Sequence, residues 1–397
     1  MKPDTASRAL RHLRVLDLTR VRAGPTCCRI FADFGADVIQ IEAPLGADPN
    51  PGMSGPRLGY DMQNLHRNKR SLTLNLKTAQ GLSIFKDLVK TADIVVENYR
   101  PDVKERLGIT YQDLAGINPR IILASISGFG QTGPYRDRAG FDQIAQGMGG
   151  LMSVTGEQGG GPMRVGIAVA DSSAGNFAAL GILVALAERE RSGIGQWVQT
   201  SLLQAQIAMM DFQAAAYLVE GKVPRSAGND HPYSTPTGVV PTMDGHINVA
   251  VAGEGQWAGF CKAIERPDLQ SHPDYAVQEL RFQNRSRLKE ELAAVFITRT
   301  SDQWLDALSQ HGVPAGPINT VDQVFADPQV KHLGMAAKLD HPDLGEISLV
   351  APPIVLSRTP GGVRTPTVEA GANSEEILRE LGISESEIVQ LRACGAV

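Results

Sequence analysis

Over its first 130 residues the chain alternates short β-branched runs with stretches whose apolar positions recur at helical spacing. That alternation builds a parallel sheet covered by helices and leaves few other folds open. Val15 to Leu18 reads as a first strand. Gly24-Pro25 opens a helix through Phe34, closed by Gly35, and Val38 to Glu42 returns as a second strand, completing a βαβ unit. Further strands are expected at Ser71 to Leu74, Asp93 to Glu97 and Ile121 to Ser125. A helix from Thr78 to Lys90 places Leu82, Phe85, Leu88 and Val89 on one side. The class is open α/β, with a Rossmann-like large domain.

With 397 residues, 42% of them apolar, the chain can bury two cores. Glycine dominates Ser127 to Arg164, where backbone can bend sharply and approach a ligand closely. Two long helices, Ser172 to Arg191 and Ser201 to Glu220, flank a short strand at Gln196 to Thr200. Lys222 to Pro236 is polar and rich in turn residues, a hinge into a second domain. The expected organisation is a large domain over 1–200, a linker over 201–225, a small α+β domain over 226–333, and a further linker and C-terminal segment over 334–397.

Composition excludes several classes of partner. A formal charge of -5 gives no polyanion-binding surface, so nucleic acid is not expected. Apolar runs fall short of the roughly 20 residues that cross a bilayer, and the polar N-terminus has no signal-peptide core, so a cytoplasmic protein without a membrane partner is expected. Four cysteines, at 27, 28, 261 and 394, lack the spacing of a disulfide framework or zinc site, and eight scattered histidines form no ligand pair. No metal is implied.

A βαβ start invites a dinucleotide-binding reading, but the turn after the first strand reads Arg20-Val21-Arg22-Ala23-Gly24-Pro25. It lacks Gly-x-Gly-x-x-Gly, and proline removes an amide that a pyrophosphate would use, which disfavours a dehydrogenase. The informative segment runs from Gly161 to Gly175, where Asp171 ends an extended stretch and stands at the expected N-cap of the next helix. As a plain cap it is worth about 1 kcal/mol. As a functional group, a carboxylate held ionised by helix amides, below the ordinary value of about 3.9, is a nucleophile that needs no base. It can attack a thioester and release a thiolate.

The order Pro-x-x-x-Gly-x-x-x-x-Asp-x-x-x-Gly from Pro162 to Gly175 resembles the nucleophile segment of the family III (CaiB/BaiF) CoA-transferases. Similar landmarks precede it in the family's order: Val15-Leu16-Asp17-Leu18 with Ala23-Gly24-Pro25, Asp33 to Ile39, Asn68-Lys69-Arg70-Ser71, Val96 to Pro101, and Leu123 to Pro134. The resemblance implies transfer of coenzyme A from an acyl-CoA to a free carboxylic acid, Asp171 as the covalent nucleophile, a small domain inserted late with a C-terminal return of 334–397 to the large domain, and a homodimer whose chains interlock. No cofactor is implied beyond the coenzyme A of the substrate. It implies a CoA pocket at Arg22, Ala23, Leu74, Asn75, Lys77, Asn98, Tyr99 and Arg106, with Lys77 and Arg106 facing phosphate, and it places Phe141 beside the thioester arm.

Racemases of the same superfamily use a histidine in a Gly-His-Asp segment. Here that stretch is Gly140-Phe141-Asp142, and phenylalanine cannot exchange a proton, which sets the racemase reading behind transfer. A CoA-binding protein without turnover is the other alternative. Oxalate-handling relatives carry a glycine-rich loop where this chain has Gly228 to Pro236. Two prolines stiffen that loop, and His231, Ser234 and Thr235 could hydrogen-bond the second carboxylate of a short dicarboxylic acid.

Overall fold

The computed structural model describes residues 7, 9–48 and 52–397. Its contacts divide the chain into two units, the first formed by Met1–Leu151, Val165–Glu220 and Pro328–Val397 and the second by Met152–Arg164 and Gly221–Asp327.

In the first unit, β1 (Arg14–Asp17), β2 (Asp37–Glu42), β3 (Arg70–Thr73), β4 (Ile94–Glu97), β5 (Ile122–Ser127) and β6 (Trp197–Ser201) form one sheet. Their order is β3-β2-β1-β4-β5-β6 and every pairing is parallel. Both faces are covered, so apolar residues of the central strands β1, β2, β4 and β5 point to either side rather than to one. Val15, Val38, Val96 and Ala124 join one core with Phe31 and with Ala174, Ala178 and Ile182. Leu16, Ile39, Val95 and Leu123 join the opposite core with Phe85 and Leu88. The strand order reverses between β1 and β4, and there the loops leaving the carboxyl ends part to leave a crevice.

The 24-residue helix Val169–Ser192 is long and apolar enough by composition to span a bilayer. Its alanines pack on the sheet, which accounts for part of that apolarity. Gly175 lets it approach the helix Ala23–Asp33 closely: a Cβ there would lie 2.4 Å from the Ala23 carbonyl oxygen. The expected helix Ser201 to Glu220 is broken in two, Leu202–Ala208 and Asp211–Glu220, with Asp211 at φ 41°. The segment expected as linker, 201–225, is therefore largely helical and belongs to the first unit as far as Glu220.

In the second unit β7 (Thr237–Pro241), β8 (His246–Ala250) and β9 (Ala315–Pro317) form an antiparallel sheet. Its core centres on Trp257, Phe260, Phe296 and Trp304. The unit runs from Gly221 to Asp327, where the sequence suggested 226 and 333, and it also takes in Met152–Arg164.

The chain returns to the first unit through the hairpin of β10 (Ala336–His341) and β11 (Gly345–Val350). It ends in helices Ser374–Glu380 and Glu385–Ala393, whose Ile377, Leu378 and Ile388 complete the second core beside Leu72 and Leu74.

Candidate active site

A cleft of about 1130 Å³ opens at the carboxyl ends of β1, β3, β4 and β5. Its walls are built by the loops that follow these strands, and Asp17 anchors the first of them. The Asp17 carboxylate accepts from the Thr19 amide at 2.9 Å, from the Thr19 hydroxyl, and from the Lys69 ammonium at 2.8 Å. The pair is fully enclosed, with side-chain exposures of 0% for Asp17 and 1% for Lys69. Burial works against the Asp17 anion, yet Lys69 and His66 outweigh it and hold its pKa below the usual carboxylate value. From β4, Asn98 donates to the Arg20 carbonyl at 2.8 Å and accepts from the Arg20 amide at 3.1 Å. The loop carrying Arg22 is thus fixed from its own strand, through the Asp17–Thr19 bonds, and from the end of the neighbouring β4, through Asn98.

Asp171 faces this cleft, but not as a cap. The helix begins at Val169 with Ala168 at the N-cap, so Asp171 is the third helical residue. The capping acceptor comes from elsewhere. The Asp142 carboxylate accepts from the Ala170 amide at 2.8 Å and the Asp171 amide at 3.4 Å, and Gln146 donates to it at 2.7 Å. Among the described residues none donates a hydrogen bond to the Asp171 carboxylate. Its pKa, expected below the ordinary value, is pushed up to about 6, by burial first and by the neighbouring Asp142 second, while Arg22 opposes both. The amides at the helix start are taken by Asp142, not Asp171, and the Asp142 charge adds repulsion. The result is a carboxylate still ionised at neutral pH, poorly solvated and unbonded, which is the state of an activated oxygen nucleophile.

Arg22, Ala23, Leu74, Asn75, Lys77, Asn98, Tyr99, Arg106 and Phe141 all line the same cleft as Asp171. Their engagements differ. Asn98 holds the Arg20 backbone with both ends of its amide, and Asn75 accepts from the Lys77 amide at 3.1 Å. Arg106 lies 3.2 Å from Asp102 with its side chain largely exposed, and Lys77 makes no ion pair among the described residues. Gly128 and Gly140 bring two wall segments together, and a Cβ on either would lie 2.7 Å from the other's Cα. Phe141 is half exposed on this wall. His231, Ser234 and Thr235 belong to the second unit. There Ser234 donates to the Val251 carbonyl at 3.1 Å, His231 accepts from the Tyr233 amide at 3.2 Å, and the Thr235 carbonyl accepts from Arg281 at 3.4 Å. Sequence reasoning missed Asp142 as the cap and Asp61, which pairs with Arg22 at 2.7 Å. Among the described residues no cluster of three or more His, Cys, Asp or Glu side chains is placed to hold a metal.

The chain matches the model of CoA-transferase family III over residues 10–373. It is 38% identical to a succinate–glutarate CoA-transferase of Agrobacterium fabrum, covering 93% of this chain and 94% of that protein. It is 35% identical to a human succinyl-CoA:glutarate CoA-transferase, covering 98% and 90%. The crystal structure of a CaiB/BaiF family protein from Brucella suis superposes with a TM-score of 0.82 at 35% identity, covering 94% of this chain and 100% of that one. A family match of this extent, on a fold whose crevice gathers an unbonded carboxylate and several cations, identifies the chain as an enzyme of CoA-transferase family III.

Proposed function

We propose that this enzyme moves coenzyme A between short dicarboxylic acids through two covalent states of Asp171. An Asp171 oxygen attacks the thioester carbonyl; the carbon–sulfur bond breaks, coenzyme A leaves as thiolate, and an aspartyl acyl anhydride remains. The thiolate then attacks the aspartyl carbonyl, releasing the donor acid as carboxylate and leaving an aspartyl-CoA thioester. An incoming carboxylate displaces the thiolate to give a new anhydride, and the returning thiolate takes the new acyl group and restores Asp171. No proton is consumed and no thioester energy is lost to water. The reading is carried by one observation, an Asp171 carboxylate that faces the cleft with no hydrogen-bond donor on it among the described residues. Lys77 and Arg106 suit the phosphates of coenzyme A, and Phe141 suits the apolar arm that ends in the thioester. The Rossmann-like large domain would supply the nucleotide end of the pocket.

The choice of dicarboxylic acids draws support from the relatives named for succinate and glutarate. Incubation with succinyl-CoA and glutarate should give glutaryl-CoA and succinate in equal amounts, followed by mass spectrometry. Release of free coenzyme A without glutaryl-CoA, or no reaction across a panel of short dicarboxylates, would contradict it. Exposed apolar residues on the long helix and those after it, among them Leu180, Val184, Phe212 and Leu218, support an interlocked homodimer. Light scattering should then give the mass of two chains, and a mass of one chain would oppose it.

Burial of Asp171 and, after it, the Asp142 charge set the acid limb of activity in this scheme. Transfer needs Asp171 ionised, so kcat/KM should fall as pH drops through about 6. Asp142→Asn keeps an oxygen for the Ala170 amide but removes the neighbouring charge, so the limb should move down by roughly one pH unit. A pH–rate profile of the two proteins checks this; an unmoved limb would remove Asp142 from the tuning of Asp171.

A further inference from the structure

A dicarboxylic acyl-CoA brings a free carboxylate to a site that already holds Asp171 beside Asp142, and in the anhydride, where Asp171 has lost its own charge, that carboxylate still lies near Asp142. Burying that charge without a cation would be costly. Several cations line the cleft, and most are engaged at its rim: Arg20 with Asp48 at 2.8 Å, Arg100 and Arg106 with Asp102 at 3.4 and 3.2 Å, and Arg136 with Glu105 at 3.0 Å. Arg22 is different. It immediately precedes Ala23, whose carbonyl packs against Gly175 one turn along the helix from Asp171, and both Arg22 and Asp171 line the cleft, so Arg22 stands beside the acyl end; its charge accordingly opposes the rise of the Asp171 pKa. Its single ion pair, Nη2 to Asp61 at 2.7 Å, leaves Nε and Nη1 without partners among the described residues, and its side chain stays 32% exposed.

We propose that Arg22 is the residue that selects dicarboxylic substrates, receiving the free carboxylate of an acyl group whose other end is bonded at Asp171. The inference rests on the proposed relay and adds to it the group that reads the substrate. The reach is suitable: the two carboxyl carbons of an extended succinyl or glutaryl chain lie roughly 4–5 Å apart, a span set by carbon–carbon bond lengths. A guanidinium acts on a neighbouring carboxylate over about 4–6 Å, so one side chain can serve both ends of so short a chain. The planar fork offers a carboxylate two parallel donors, and Asp61 engages only one nitrogen, which leaves the others for the ligand. A monocarboxylic acyl group would leave Arg22 with Asp61 alone and gain nothing from it. In the second unit, Ser234 already donates its hydroxyl to the Val251 carbonyl, which weakens the case for that loop as the reader.

In a ping-pong relay, kcat/KM for the donor reports the first half-reaction alone, so the acceptor's own carboxylates do not enter. The test compares succinyl-CoA with butyryl-CoA as donors to a fixed concentration of glutarate, in the full-length enzyme. Arg22→Gln should lower the ratio of the two kcat/KM values about 30- to 100-fold, whatever loss both donors share. Arg22→Lys, which keeps the charge but not the fork, should lower it about fivefold. A ratio that stays within about twofold of the wild-type value in whichever variant folds overturns the proposal, even if both donors slow together. A wild-type enzyme that turns over neither donor, or that shows no ping-pong pattern, overturns the relay instead, so the two failures are distinct.

Discussion

Replacing Asp171 with alanine is expected to reduce coenzyme A transfer by at least about 10⁴-fold, because the two covalent states have no other oxygen to form on. Affinity for coenzyme A should change little, since Lys77 and Arg106, proposed to meet its phosphates, lie on other loops of the cleft. Steady-state transfer assays and calorimetric CoA titration separate the two quantities. Asp171→Asn adds a readout that rests on physics rather than activity. Folding raises the Asp171 pKa from 3.8 to about 6, so its contribution to stability is present below the unfolded value and is lost as pH rises through about 6. Above that pH the wild-type carboxylate opposes folding and the neutral amide does not. The asparagine variant should therefore gain about 1–3 kcal/mol over the wild type at pH 8 and close to none at pH 4. Strong transfer by either variant, or an equal stability difference at both values, would contradict the assignment.

Asp17→Ala should cost the first unit about 3–5 kcal/mol, the largest stability effect expected of a single change beneath the cleft. Its cause is the group left behind. Lys69 would keep an ammonium at 1% side-chain exposure with no other carboxylate paired to it among the described residues, and the Thr19 amide would lose its acceptor. Removing both charges with apolar residues of similar size, as in Asp17→Leu with Lys69→Met, should recover much of the loss, because the penalty comes from an unpaired buried charge rather than from a strong net pair. Thermal unfolding of the single and double variants measures this. An Asp17→Ala protein as stable as the wild type would show that water or another residue reaches Lys69. The double variant should still transfer poorly, since the loop bearing Arg22 takes its shape from the Asp17–Thr19 bonds.

The sheet of the first unit was legible because its signals are local. β-branched runs mark strands whatever their neighbours, so Val15 to Leu18 and Val38 to Glu42 fall within a residue of β1 and β2. The helix opened by Gly24-Pro25 starts at Ala23, as proline in the first turn requires. Residues brought to the cleft by the resemblance do share one wall system, since each follows a strand whose carboxyl end points the same way. What stayed hidden depends on contacts between distant residues. Asp142 lies 28 residues before the Ala170 amide it caps, and no spacing rule connects them. Once Asp142 holds those amides, Asp171 is left to burial and repulsion, which reverses the direction of its pKa. The break before Asp211, at φ 41°, follows from how the two short helices seat, and the apolar periodicity runs through it unmarked. Likewise Met152–Arg164 reads as a glycine-rich loop of the large domain, yet its contacts place it with the second unit.

The central claim, that acyl and coenzyme A groups pass through an oxygen of Asp171, is tested most directly by trapping. Hydroxylamine added while the enzyme turns over succinyl-CoA attacks an activated aspartyl carbonyl and leaves a hydroxamate on that side chain. Peptide mass spectrometry should find the modification on Asp171, dependent on succinyl-CoA and absent from Asp142. Sustained turnover with Asp171 unmodified and no acylated or CoA-bearing peptide would contradict the account.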